Sequence, residues 1–125
     1  MQRVLIVEDQ SSDLRVVSEL LASIGATNVE TRTSASAAKL YLQSALEGEK
    51  PIPELMIVDL DLGHESGFEL LRFWHGNPKL KQVRLIVWTA MGEEQKEICA
   101  LFKVSSVISK ADGVAALKRA IELHS

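Results

Sequence analysis

The sequence predicts an α/β domain: a five-stranded parallel sheet, doubly wound, with five helices. Three observations carry this. Short β-rich runs alternate five times with longer segments of helical period. The runs Leu55-Met56-Ile57-Val58 and Leu85-Ile86-Val87-Trp88 are continuously apolar, as expected of strands covered on both faces. Polar residues then follow directly on the runs: Glu8 and Asp9 after Val4-Leu5-Ile6-Val7, Asp59 after Val58, Thr89 after Trp88, and Lys110 after Val107-Ile108-Ser109. In an open parallel sheet the carboxyl ends of the strands open on one crevice, where such folds bind ligands.

The elements follow in order. Residues 3–7 read as the first strand, entered almost directly from Met1. Ser11-Ser12-Asp13 offers N-cap oxygens to a helix whose Leu14, Val17, Leu20, Leu21 and Ile24 recur at helical spacing until Gly25 ends it. Residues 29–31 form a short second strand. Ser34 caps a helix carrying Ala38, Leu42, Ala45 and Leu46, ended by Gly48, and Pro51 and Pro53 break the chain before the third strand at 55–58. Residues 63–67, from Gly63 to Gly67, read as a loop. Phe68, Leu71 and Trp74 then mark a third helix, terminated by Gly76-Asn77-Pro78. Residues 83–88 are the fourth strand, and residues 93–102 a helix acidic in its first turn, where the helix dipole favours negative charge. Residues 104–109 are the fifth strand. Asp112 caps a last helix with Val114, Leu117, Ile121 and Leu123 inward.

At 125 residues the chain reads as one domain spanning 1–125, able to bury roughly two-thirds of its unfolded surface. A net charge of -3 gives no basic footprint, which argues against direct nucleic-acid binding. No signal peptide and no apolar run of membrane-spanning length is found, so a cytoplasmic protein with no membrane contact is expected. Cys99 is the single cysteine; its flanks, Ile98 and Ala100-Leu101-Phe102, suggest a small buried residue rather than a nucleophile.

Three carboxylates at one sheet edge repel one another unless a hard cation such as Mg²⁺ sits among their oxygens. Glu8 and Asp9, with Asp59, form such a set. Asp59 is the candidate nucleophile, because a carboxylate can become an acyl phosphate. Phosphoryl transfer needs charge neutralisation on the phosphoryl oxygens, which Lys110 offers as a point charge and Thr89 as a hydroxyl donor. Each residue alone has an ordinary explanation as a helix cap or surface group. Their joint fall at strand ends that the fold gathers is what points to a site.

In this set the chain resembles the receiver domains of two-component signalling, the phosphoacceptor modules of response regulators, over essentially all 125 residues. Glu8-Asp9 matches the acidic pair, Asp59 the phosphorylated aspartate, Thr89 the switch hydroxyl, Lys110 the family's lysine, and Gly67 the glycine closing the loop after the phosphorylation site. The resemblance implies a flavodoxin-like sheet of strand order 2-1-3-4-5. It implies Mg²⁺-dependent transfer of a phosphoryl group to Asp59 from a histidine kinase or histidine phosphotransfer protein, with small donors such as acetyl phosphate also serving. It further implies a metal contact from the main-chain carbonyl of Asp61, and side chains at Asp61 and Met91 that tune hydrolysis. The chain would then be a switch rather than an enzyme, beyond self-phosphorylation and autodephosphorylation. Its partners would be a downstream protein or an output domain, or a second copy as a homodimer, through the face of the fourth helix, fifth strand and fifth helix.

The departures from that family are informative. Val107 stands where many receivers carry a Tyr or Phe that swings inward; Val is stiff at its first torsion and too short for that lever. A shift of Thr89 and the following loop is the remaining route. Ala111 replaces a proline after the lysine, so the cis peptide usual there is not expected, and Gly63 stands where proline is frequent. The Lys110-Ala111 ending resembles receivers joined to helix-turn-helix output domains. Trp88 is expected as a core aromatic facing away from Thr89, and Trp74 and Phe73 as packing. His64 reads as a solvated loop residue, and His75 and His124 show no metal-ligand spacing. Two other readings remain: a receiver-like scaffold independent of phosphorylation, and a haloacid dehalogenase-type phosphatase. Against the second, Asp59-Leu60-Asp61 follows the third strand instead of the first, and no cap domain is present.

Overall fold

The computed structural model of the chain describes residues 3–123; Met1 and His124 lie outside them. In chain order the elements are β1 (Arg3–Val7), α1 (Ser11–Ser23), β2 (Asn28–Arg32), α2 (Ala35–Leu46) and β3 (Leu55–Val58). Next come the two-residue strands β4 (Asp61–Leu62) and β5 (Glu65–Ser66), then α3 (Gly67–Gly76), β6 (Arg84–Thr89), α4 (Gly92–Ala100), β7 (Ser106–Ser109) and α5 (Val114–Leu123). Single 3₁₀ turns occupy Pro78–Leu80 and Lys110–Asp112.

The sheet runs β2-β1-β3-β6-β7 with every pairing parallel, which is the 2-1-3-4-5 order once the small β4–β5 hairpin is set aside. Side-chain alternation divides it into two cores. Leu5, Val7, Met56, Val58, Leu85 and Val87 pack under α2, α3 and the Cys99 edge of α4. Val4, Ile6, Leu55, Ile57, Ile86 and Trp88 pack under α1 and α5 through Val17, Leu20, Leu21, Leu117 and Ile121. Cys99 is fully buried, and that burial raises its thiol pKa, which makes it a packing residue. No helix among the described residues is long and apolar enough to cross a membrane.

Several expected boundaries are corrected. The N-cap of α1 is Gln10, with Ser11-Ser12-Asp13 already inside the helix. Asp112 does not cap α5: it ends a 3₁₀ turn, and Gly113, at a φ of 85°, separates it from Val114. Residues 63–67 are not a plain loop, since Asp61 and Leu62 pair with Ser66 and Glu65 in an antiparallel hairpin and Gly67 opens α3. The Glu65 carboxylate accepts from the Ser36 N–H (3.1 Å) and the Ser36 hydroxyl, tying that hairpin to the start of α2. The last strand pairs only from Ser106, because Lys103 (φ 58°) turns the chain out of α4 first. In α5, Leu117 and Ile121 point inward as expected, but Leu123 is 78% exposed and Val114 is 41% exposed. Leu123, two residues past Ile121, falls about 200° around the helix. Ser34 does cap α2, accepting from the Ala37 N–H at 3.1 Å.

Candidate functional site

The parallel register sets the site. Val7, Val58 and Val87 lie level across β1, β3 and β6, and Thr89 is level with Ser109 of β7. The ladder runs one residue further: the Glu8 N–H reaches the Arg32 carbonyl (3.0 Å) and the Asp59 N–H the Val7 carbonyl (3.0 Å). Glu8 and Asp59 are therefore held by sheet geometry at the strand ends, 2% and 4% exposed. By alternation Glu8, Asp59 and Lys110 share the face of Ile6, Ile57 and Ile108, toward α1 and α5.

There the Lys110 ammonium donates to Glu8 Oε1 (2.8 Å), Asp59 Oδ2 (2.8 Å) and Asp13 Oδ2 (2.7 Å). The Trp88 ring lies 5.2 Å from the same nitrogen, a cation–π contact from a core aromatic. Burial works against the charge of Lys110, but the three carboxylate bonds outweigh it and raise its pKa. Glu8 is pushed up to about 7: its burial is the main cause and the Asp59 charge adds, while bonds from Lys110 and the Gln10 N–H oppose.

One oxygen each of Glu8, Asp9 and Asp59 lies within 4.8 Å of the others, the single group of metal-ligand type among the described residues. Asp9 Oδ1 is buried and without a hydrogen-bond partner. An unpaired buried carboxylate oxygen is costly, and a hard divalent cation would satisfy it. The donor set is all oxygen, which fits such an ion.

Thr89 is 3% exposed and stands apart from the Lys110 cluster. It lines a cavity of about 500 Å³ with Asp61, Phe68 and Met91, which is 56% exposed. The Asp61 N–H donates to Asp59 Oδ1 at 3.1 Å, and its side chain is exposed. His64 is exposed at the rim of that cavity. Trp74 and Phe73 pack against the core, the Trp74 indole N–H donating to the Val83 carbonyl (3.0 Å), and His75 meets the Phe102 ring edge-on at 6.0 Å. Gly67 approaches so closely that a Cβ there would lie 2.4 Å from the Asp59 carbonyl oxygen.

Two participants escaped the sequence reading. Asp13 sits in the first turn of α1, where it reads as a cap; its signal was its position four residues after Asp9 on the helix leaving the site. Gly92 allows α4 to start against β7, since a Cβ there would meet Ser109 Cα at 2.8 Å.

Residues 4–122 match the family model of the response regulator receiver domain. Response regulator Rcp1 of Synechocystis sp. is 30% identical over 99 residues, 78% of this chain and 67% of that protein. Two-component response regulator ORR1 of Oryza sativa subsp. japonica is 32% identical over 75% of this chain, a match that takes in only 42% of the rice protein. Among solved structures, the phosphorylated cyanobacterial phytochrome response regulator RcpA aligns with a TM-score of 0.80 at 25% identity, covering 95% of this chain and 88% of that one. The Mn²⁺-bound form of response regulator Rcp1 aligns at 0.78 with 28% identity, covering 93% and 86%. A five-stranded 2-1-3-4-5 sheet, a carboxylate cluster at its carboxyl edge and a family match over nearly every residue have one meaning: the chain belongs to the response regulator receiver domains, the phosphorylation-based switches of two-component signalling.

Proposed function

We propose that Asp59 accepts the phosphoryl group, from a histidine kinase or a histidine phosphotransfer protein, and that Glu8, Asp9, Asp59 and the main-chain carbonyl of Asp61 hold Mg²⁺ for the transfer. An Asp59 carboxylate oxygen attacks phosphorus, the new O–P bond forms, and the donor's N–P bond breaks with its electron pair returning to the donor imidazole. With acetyl phosphate the broken bond is O–P and acetate leaves. Mg²⁺, when bound, supplies charge neutralisation on the phosphoryl oxygens. Lys110 pairs with one of those oxygens, and the Thr89 hydroxyl donates to another once the group is present. Water attack on phosphorus later breaks the Asp59 O–P bond and releases inorganic phosphate, restoring the carboxylate at a rate tuned by the side chains of Asp61 and Met91.

The observation that carries this reading is the Lys110 ammonium 2.8 Å from Asp59 Oδ2, beside a buried Asp9 oxygen with no partner. The Mn²⁺-bound Rcp1 and phosphorylated RcpA structures support it by similarity. The phosphorylated state would bind a downstream protein, an output domain of helix-turn-helix type or a second copy of the chain, in the cytoplasm. This single domain would touch neither nucleic acid nor membrane itself, in keeping with a net charge of -3.

Mass spectrometry after incubation with acetyl phosphate tests the proposal. One phosphoryl group is expected with Mg²⁺, and none with Mg²⁺ withheld or in Asp59→Asn. Where acetyl phosphate fails, beryllofluoride binding and a panel of phosphorylated kinases replace it. Failure of all three would leave a scaffold independent of phosphorylation.

A further inference from the structure

An ammonium has three N–H donors, and those of Lys110 are fully used by Glu8, Asp13 and Asp59. These acceptors are not equivalent. Glu8 and Asp59 belong to the carboxylate set of metal-ligand type, whereas Asp13 does not. Asp13 stands on the first turn of α1, where the helix dipole favours its charge. Its bond at 2.7 Å joins two partly covered groups, the lysine side chain being 16% exposed and the aspartate 32%. The Trp88 ring, 5.2 Å from the ammonium, adds a neutral support.

A dication among Glu8, Asp9 and Asp59 changes this balance. Two of the three acceptors would turn their charge toward the metal, and the metal itself would repel the ammonium. The remaining acceptor outside the metal's reach is Asp13. We propose that Asp13 is the positioning residue of Lys110, the carboxylate that keeps its ammonium beside Asp59 once the metal is bound. This rests on the phosphoryl-acceptor reading above. The competing account, in which Asp13 merely complements the start of α1, predicts no effect on Lys110 in the metal-loaded protein.

The test uses Mg²⁺ with beryllofluoride, which imitates the phosphoryl group, and the ammonium proton signal of Lys110 by nuclear magnetic resonance. The parent should show a slowly exchanging Lys110 signal both without and with Mg²⁺. In Asp13→Asn that signal should disappear on adding Mg²⁺, and beryllofluoride should bind about tenfold more weakly, the loss expected for one charge-assisted hydrogen bond. Asp13→Glu should restore both. An Asn variant that keeps the Lys110 signal in Mg²⁺, or binds beryllofluoride as the parent does, overturns the proposal. So does a parent with no protected ammonium. A parent that binds no beryllofluoride overturns the phosphoryl-acceptor reading first, and this inference with it.

Discussion

Glu8 is a residue whose chemistry the fold alters strongly. It sits at the end of a buried strand, 2% exposed, and its pKa is pushed up to about 7 by burial and by the Asp59 charge. In the metal-free protein it therefore carries a proton through mildly acidic pH. The sign follows from linkage. A carboxyl with a raised folded-state pKa stabilises the fold fully below the ordinary carboxylate range, and that contribution fades as pH rises through about 7, by up to about 1.4 kcal/mol per pH unit. Metal ligation needs the carboxylate, so binding below that pKa must release the proton. Mg²⁺ affinity should accordingly climb by up to about tenfold per pH unit from about pH 5 to 7 and level off above. Calorimetric titration across that range checks it. Glu8→Gln should bind more weakly and flatten the profile, and a parent affinity indifferent to pH would remove the proton from the account.

At the scale of elements, the hairpin and the two helix starts depend on close backbone contact. A Cβ on Gly67 would lie 2.4 Å from the Asp59 carbonyl oxygen and 2.8 Å from Leu60 Cα, both backbone atoms that cannot swing away. Gly67→Ala should cost roughly 1–3 kcal/mol and weaken beryllofluoride binding by displacing Asp59. Gly76, which ends α3 with nothing within 4 Å of a Cβ, is the control: Gly76→Ala should be neutral or stabilise by under about 1 kcal/mol. Urea unfolding of both variants decides, and equal costs would show that the contact at Gly67 relaxes freely. The same elements show what the sequence could disclose. Continuous apolar runs located β1, β3 and β6 within a residue or two, because burial on both faces leaves no other composition. The polar residues after those runs pointed to one sheet edge, where Glu8, Asp9, Asp59 and Lys110 do meet, while Thr89 lines the cavity shared with Asp61 and Met91. Local signals misled where tertiary contacts decide: Asp13 and Asp112 both read as caps, yet one bonds Lys110 and the other ends a 3₁₀ turn. The hairpin over Asp61–Leu62 and Glu65–Ser66 was invisible because two-residue strands carry no period. Gly92 went unread, since the Ser109 backbone it meets lies 17 residues further along the chain.

In the whole molecule, stability is unevenly distributed between the elements. β1, β3 and β6 are buried along nearly their whole length, while the edge strand β7 is only half-buried. α2 buries Ala35, Ala38, Tyr41, Leu42 and Ala45, and α3 buries Leu70, Leu71 and Trp74. By contrast α4 buries only Gly92 and Cys99, and leaves Ile98 47% and the following Leu101 74% exposed. At about 1.5–3 kcal/mol for a large buried apolar side chain, α4 is the helix held by least and the cheapest to shift. It is also the helix whose start is joined to the site twice: it begins three residues after Thr89, and Gly92 abuts Ser109, the neighbour of Lys110. Val107, half-buried against the core, supplies no aromatic lever between them. A phosphoryl group drawing in Thr89 and Lys110 would thus act on α4 through the backbone. Hydrogen exchange should find α4 amides less protected than those of β1, β3 and β6 in the free protein. Adding Mg²⁺ and beryllofluoride should change exchange most over residues 89–110, with α2 left as it was. Changes confined to the hairpin at 61–66, or spread evenly over the chain, would mean that the signal leaves the site by another route.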